Sequence, residues 1–229
     1  MYANIELHSP RGKPAIISYR EDTSDLSVIG GTWRIWDVIA DEYGLGSLPD
    51  LTGVAVDIGA HVGSVALALL ADHPTLHVIA VDPLAENLAV IAATAEGNGW
   101  TDRLTLVCAA IAKGRSATVN FGYDGSDYLR DNRFIGGISS STDATQTVIV
   151  PTTTLSKLTP GPIAFLKTDC EGCEWDLLAD RAIKRTQRIV GEGHDGGWLD
   201  KVHALLDATH DVTVLDDRGG PGTFAAVLR

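Results

Sequence analysis

Residues 54–70, VAVDIGAHVGSVALALL, limit the possible folds more than any other stretch of the chain. Residues 54–58 read as a buried strand, the next five as a tight turn carrying Gly59 and Gly63, and the remainder as an apolar helix. Glycines at such a junction let backbone N–H groups come close to a ligand, and the start of the helix adds partial positive charge. Asp57 falls at the C-terminal end of the strand, where open α/β sheets place their ligands. The next apolar strand, LHVIAVDP, ends in Asp82, and 82 − 57 = 25 residues separate the two acids. An acidic residue near that offset is the usual acceptor for ribose hydroxyls, so the pair predicts a cofactor that carries a nucleoside.

The chain beyond residue 54 keeps the same rhythm. Strands are expected at 54–58, 76–81 and 104–109, with helices at 63–72 and 84–97 between them. Strands alternating with helices imply right-handed βαβ units and a parallel sheet. After Lys113 the rhythm breaks, and residues 118–122 and 148–150 read as strands around a long polar loop. A loop of that length inside a compact domain usually covers or binds something, which makes Tyr123, Tyr128, Arg130 and Arg133 candidates for substrate contact. A strand at 163–168, a helix through Leu178, a strand at 188–191 and a helix at 198–206 follow. Two last strands, 212–215 and 223–228, are joined by DDRGGPG, too short for a crossover helix, so they must pair antiparallel.

The first 50 residues are an extension to this domain of 51–229, which carries an inserted loop at 113–150. Residues 5–8 and 15–19 predict a hairpin whose exposed edge is a place for a second copy of the chain to pair. Thr23-Ser24-Asp25 offers caps for a helical segment, interrupted at Gly30-Gly31, that continues through TWRIWDVIADEYGL. This segment is either decoration or a lid that brings Trp33, Arg34, Trp36 and Tyr43 over the site, with core packing the ordinary duty of the tryptophans.

Charge and cysteine content remove several functions. A net charge of −12 over 229 residues argues against a phosphate-backbone partner. No apolar run reaches the length of a membrane span, and Met1 is not followed by a secretory leader, which points to a cytoplasmic protein. Cys108, Cys170 and Cys173 cannot build a disulfide framework. The single CxxC lacks the further ligands that structural zinc needs, and redox use is its secondary reading because Glu171 and Gly172 suit another role.

The glycine pattern narrows the cofactor. The dinucleotide fingerprint G-x-G-x-x-G fails because His61 occupies the place of its second glycine, and no phosphate-loop pattern is present. Asp57-x-Gly59-x-x-x-Gly63 followed by Asp82 resembles the first motif of class I S-adenosylmethionine (SAM) methyltransferases. VDIGAHVG at 56–63, DPLAEN at 82–87, Asn98-Gly99, Ala109-Ala110, TTL at 153–155, LKTDCEGCEW at 166–175 and Glu192-x-His194 are similar to the FkbM-type branch of that class. Lys167, Asp169, Glu171, Gly172 and Glu174 all match its most specific segment, K-x-D-x-E-G-x-E. Asp82 in place of the usual Glu, Thr94 in place of Asn, and Ser156 in place of Asp depart from it. The resemblance implies an α/β, Rossmann-like seven-stranded class I sheet, parallel but for an antiparallel last strand. It implies SAM held by Asp57, Gly59, His61, Gly63, Asp82, Pro83, Asn87 and Ala109. It also implies methylation of a hydroxyl on a sugar or natural product.

Methylating an alcohol requires alignment of donor and acceptor and removal of the hydroxyl proton. The groups able to help cluster in sequence after the strands at 163–168 and 188–191: Lys167, Asp169, Glu171, Glu192, His194 and Asp195. Two arrangements are open. His194 is a general base whose tautomer Asp169 or Glu192 holds, or Asp169, Glu192 and His194 together hold a divalent cation such as Mg2+. Lys167, inside an apolar strand, is expected to neutralise Asp169 or Glu192. Glu171 is a candidate substrate contact or an acid at a helix start, and Glu174 a first-turn acid. His61 reads as a packing or cofactor-edge residue and Cys108 as a small buried one. The segment after residue 168 lacks the Asn/Asp-Pro-Pro-aromatic tetrad of amino-directed nucleic-acid methyltransferases. A non-catalytic SAM-fold module and a nicotinamide-dependent reductase are the remaining alternatives, the latter opposed by Gly59-Ala60-His61.

Overall fold

The computed structural model describes residues 2–21, 23, 25–35, 41–112, 117–123, 146–170, 172–194, 196–217 and 221–229. Its chain begins with the hairpin β1 (Ala3–His8) and β2 (Pro14–Tyr19), then α1 (Asp25–Gly30). The repeating part runs β3 (Gly53–Ile58), α2 (Ser64–Asp72), β4 (Leu76–Asp82), α3 (Ala85–Asn98), β5 (Leu104–Cys108). A short β6 (Ala110–Ile111), β7 (Thr118–Tyr123), β8 (Gln146–Thr153) and α4 (Leu155–Leu158) come next. The chain closes with β9 (Phe165–Thr168), α5 (Glu174–Leu178), β10 (Arg188–Gly193), α6 (Trp198–Leu206), β11 (His210–Asp216) and β12 (Gly222–Leu228).

Seven of these strands form the central sheet in the order β11-β12-β10-β9-β3-β4-β5. All neighbours are parallel except β12, which runs antiparallel to both β10 and β11, as the short DDRGGPG turn requires. The chain order reverses between β3 and β9, and in open α/β sheets such a switch point opens a crevice at the strands' C-terminal ends. Side chains alternate across β3: Ala55 joins one core layer with α2 and α3, Val56 and Ile58 the other with α5 and α6. Helix α2 is apolar nearly all round because it is covered on every side: Val65 to Leu70 are all buried.

Two expectations need correction and a third is narrowed. Among the described residues the helix does not resume after Gly30-Gly31: Arg34 and Ile35 are extended, the Arg34 N–H donates to the His8 carbonyl at 2.9 Å, and 36–40, with Trp36, lie outside the described residues. Two adjacent glycines weaken the helix, and Trp33, fully buried with its indole N–H 2.8 Å from the Ser64 carbonyl, fixes the chain elsewhere. The strand expected over 104–109 ends at Cys108, after which β6 leaves to pair with β8 in a second sheet, β6-β8-β7. Finally, one edge of the amino-terminal hairpin is occupied. The Ser18 N–H donates to Thr94 Oγ1 at 2.9 Å, and Ile16 exchanges bonds with the Asn98 amide at 3.0 and 2.7 Å. Side chains of α3 thus satisfy the outer backbone groups of β2, and the hairpin shares the core of α2 and α3 through Leu7, Ala15 and Ile17. Among the described residues no helix is long and apolar enough to cross a membrane.

Candidate active site

The turn after β3 depends on three residues of positive φ: Gly59 at 71°, His61 at 50° and Gly63 at 85°. The Gly59 and Ala60 N–H groups both donate to the Val81 carbonyl, each at 3.0 Å, and so lock the turn to the end of β4. Asp82 closes the same corner. One of its oxygens accepts the His61 N–H at 2.9 Å, the other the Leu84 N–H at 2.9 Å and the Asn87 amide at 3.1 Å. Burial nonetheless pushes its carboxyl up to about 6, against the pull of these donors. Burial likewise lowers His61 to about 4, so its imidazole is neutral.

The glycines serve packing. A Cβ on Gly59 would lie 1.8 Å from the Asp169 carbonyl oxygen, so this glycine lets the end of β3 abut the end of β9. One on Gly63 would lie 2.8 Å from Ile91, where α2 starts against α3. Asp57 lies behind the turn and is fully buried. One oxygen accepts the Ala66 N–H of α2 at 2.9 Å, and the other faces Lys167 Nζ at 3.6 Å. Burial raises its pKa, and the Lys167 charge opposes that shift.

A cavity of roughly 670 Å³ opens over the strand ends. Gly59, His61, Asp82, Pro83 and Ala109 line it, whereas Asp57, Gly63 and Asn87 stand one layer back and act through the turn. Of the expected acceptor residues, Lys167, Asp169, Glu192 and His194 line its other half. Tyr128, Arg130, Arg133, Glu171 and Asp195 lie outside the described residues, as does the side chain of Tyr123 at the end of β7. The amino-terminal segment supplies the roof: Ser27, Val28, Gly31, Glu42 and Tyr43 face the cavity, which places Tyr43 where a lid residue belongs.

Lys167 joins the two halves. Its ammonium donates to the Gly59 carbonyl at 2.7 Å and lies 3.5 Å from Asp169 and 3.6 Å from Asp57. Burial alone would lower its pKa, but the Asp169 and Asp57 carboxylates outweigh it and hold the lysine charged. It neutralises Asp57 and Asp169 at once; Glu192, the other partner expected for it, instead faces His194. Burial works against the Asp169 charge as well, yet Lys167, His194 and the Tyr43 hydroxyl, 3.1 Å away, keep that carboxyl below its ordinary range. The Tyr43 phenol is correspondingly pushed well up, by burial first and then by Asp169.

His194 ends β10 among three carboxylates. Its Nδ1 lies 3.0 Å from Glu174 Oε1, and its Nε2 lies 3.5 Å from both Asp169 Oδ1 and Glu192 Oε2. Glu174 is 1% exposed and also accepts the Cys170 N–H at 3.0 Å and the Gly172 N–H at 2.8 Å. Burial disfavours its charge, but His194 and these backbone donors overcome it and keep the carboxyl below the usual value. An ionised Glu174 only accepts, so Nδ1 carries a proton, and Nε2 faces Asp169 and Glu192. Sequence reasoning missed this role and took Glu174 for a first-turn acid; its partner stands 20 residues on, across a strand pair. A second finding was expected only as a secondary reading: Cys170 and Cys173 form a disulfide on the cavity wall.

Comparison with known proteins fits this architecture. The family model described as the methyltransferase FkbM domain matches residues 57–212. The chain belongs to the FkbM methyltransferase family. No curated protein sequence matches it significantly. Among solved structures, a ribosomal protein L11 methylase from Lactobacillus delbrueckii subsp. bulgaricus is 14% identical, with 92% of this chain and 80% of that one covered at a TM-score of 0.50. A precorrin-6y C5,15-methyltransferase from Geobacter metallireducens is 17% identical, with coverages of 78% and 81% and a TM-score of 0.47. The M. capricolum TrmK structure, in complex with S-adenosyl-homocysteine, is 8% identical, with coverages of 79% and 64% and a TM-score of 0.46. The first of these, at a TM-score of 0.50, speaks to the fold alone.

The protein is thus a SAM-dependent methyltransferase, and the cavity suits that cofactor. Asp82 sets a carboxylate into the wall where ribose hydroxyls need an acceptor. Val81, Pro83, Ala109, Ala110, Ile111 and Phe121 give that half an apolar lining fit for an adenine ring.

Proposed function

We propose that this methyltransferase acts on oxygen, transferring a methyl group to a hydroxyl of a small polyhydroxylated molecule such as a sugar or a sugar-bearing natural product. The observation that carries this reading is the Glu174–His194 pair at 3.0 Å, with Nε2 facing the acceptor half of the cavity. SAM, when bound, supplies an electrophilic methyl group. The chain's own residues do the rest. Nε2 takes the hydroxyl proton, and the imidazolium that forms is stabilised by Glu174 at one end and by Asp169 and Glu192 at the other. Asp169, held ionised by Lys167 and Tyr43, and Glu192 are acceptors for the neighbouring hydroxyls of the substrate. General-base assistance of this kind contributes about 10²–10⁴-fold. An acidic wall and a net charge of −12 support a small neutral or cationic acceptor over a nucleic acid.

The metal reading rests on the same trio, since Asp169, Glu192 and His194 each offer a ligand atom within 4.8 Å of the others. Two features favour the base. Asp169 already has the Lys167 ammonium at 3.5 Å, which a dication would have to face. Mg2+ also prefers an all-oxygen octahedron to a set containing imidazole.

The test is transfer from methyl-labelled SAM to a panel of sugars and glycosides, with and without EDTA, on wild type and His194→Gln. A methyl ether formed equally in EDTA, and lost in His194→Gln, supports the reading. Methyl found only on nitrogen or carbon overturns oxygen specificity, and loss of turnover in EDTA restored by Mg2+ moves the trio to metal binding.

A further inference from the structure

The proposed base is held by a carboxylate, and that carboxylate is held by a disulfide ring. Cys170 and Cys173 are bonded with their Cα atoms 5.5 Å apart, and the ring they close contains Gly172 at φ 104°. Two N–H groups of this small ring, those of Cys170 and Gly172, donate to the two oxygens of Glu174, the residue next along the chain. Oε1 of the same carboxylate meets Nδ1 of His194. The residue before the ring cannot yield: the Asp169 N–H donates to the Ile58 carbonyl at 3.2 Å, and its own carbonyl rests against Gly59. Opening the ring therefore frees backbone that starts directly after this anchor and carries the two donors to Glu174. Both cysteines line the cavity, so a small reagent reaches them along the path the substrate uses. Cys108 lies elsewhere and, against the expectation of a buried residue, is exposed at the end of β5 with its thiol 3.4 Å from the Pro83 carbonyl.

We propose that Cys170 and Cys173 are a reversible redox pair that sets the orientation of His194, so that the disulfide form is the one competent for proton removal. Reduction by a dithiol is a balanced exchange. A reductant thiolate attacks one sulfur, the Cys170–Cys173 bond breaks, a mixed disulfide forms, and the released cysteine leaves as a thiolate and takes a proton. The second reductant thiol then displaces the other cysteine, so two electrons and two protons reach the pair and the reductant ends as its own disulfide. The two N–H donors then lose their fixed spacing, and Glu174 loses the cradle that holds its oxygens against Nδ1. The consequence for turnover rests on His194 as the base; the coupling of the ring to His194 does not.

The experiment equilibrates the intact protein in glutathione buffers of graded ratio, quantifies each thiol by alkylation and mass spectrometry, and follows the His194 ring by 15N NMR. Expected are reversible conversion of Cys170 and Cys173 with one midpoint and movement of the His194 ring signals at that same midpoint. The double variant Cys170→Ser/Cys173→Ser, checked for folding by circular dichroism, should show the reduced-state signals in every buffer. Cys108→Ser should titrate like wild type. In Glu174→Gln the cysteines should still titrate while the ring no longer follows them. Two free thiols in every buffer overturn the proposal, as does a titration that leaves the His194 signals unmoved. With an acceptor in hand, reduction should lower kcat about tenfold. A ring that follows the thiols at unchanged kcat upholds the coupling and removes His194 from the role of base.

Discussion

The two halves of the cavity are built on opposite principles. Around β3, β4 and β5 the wall is backbone and apolar surface, and among the described residues its one acid, Asp82, has three hydrogen-bond donors but no ion-pair partner, so burial pushes it up to about 6. Around β9 and β10 the wall is charge, and two of its acids are held down by a partner: Asp169 by Lys167, Glu174 by His194. Asp82 and Glu174, both buried, thus have opposite protonation tendencies, because a buried carboxylate ionises only where a cation or sufficient donors replace its water. The first half is suited to accept hydroxyl protons of a neutral ligand edge, the second to stabilise positive charge that appears during reaction.

Replacing His194 by Gln breaks the charged half alone. Methyl transfer should fall about 10²–10⁴-fold, while affinity for S-adenosyl-homocysteine, measured by calorimetry, stays within about twofold. A fall in affinity as large as the fall in kcat would mean the halves are not separable. Lys167→Met attacks the junction, leaving Asp57 and Asp169 buried without their cation. Urea unfolding should show a loss of about 3–5 kcal/mol, and a loss near zero would show that the ion pairs are dispensable to the seam.

Asp82 sharpens the contrast through pH. Its folded pKa of about 6 lies above the ordinary 3.8, so its protonated form contributes stability at low pH that is lost as pH rises through about 6. A ribose donor needs the ionised form, so S-adenosyl-homocysteine should bind about tenfold tighter at pH 7 than at pH 5. Asp82→Asn should flatten that profile, and a wild-type profile already flat would remove Asp82 from the ribose. The smallest effect belongs to the periphery. Thr94→Val strands the buried Ser18 N–H and should cost about 1 kcal/mol in unfolding free energy with no change in cofactor affinity; a change in affinity would make the hairpin part of the site.

The parts of this molecule legible in the sequence are those fixed by neighbours in the chain. Gly59 and Gly63 announce a turn because positive φ has few tenants, and the short DDRGGPG turn forces an antiparallel end to the sheet. Asp169, Glu192 and His194 could be grouped because strands of a parallel sheet end on one side. Asp57 was misplaced in the cofactor lining for an instructive reason. Strand alternation turns its side chain under α2, where the Ala66 N–H and Lys167 meet it, and that burial is set by a helix packed above.

Periodicity and turn chemistry were therefore enough to determine a mostly parallel α/β sheet with an antiparallel end and the strand ends on which a site would form, and the family resemblance implied its seven-stranded class. The tertiary structure decided what those ends do. It alone brought Glu174 onto His194, Tyr43 onto Asp169, Lys167 between two carboxylates and Cys170 onto Cys173. All but the last depend on distances between elements far apart in sequence or on the face a residue presents, and whether a CxxC closes depends on the loop geometry around Gly172. Charge states follow from such distances through burial and partner placement, and no local pattern of residues encodes them.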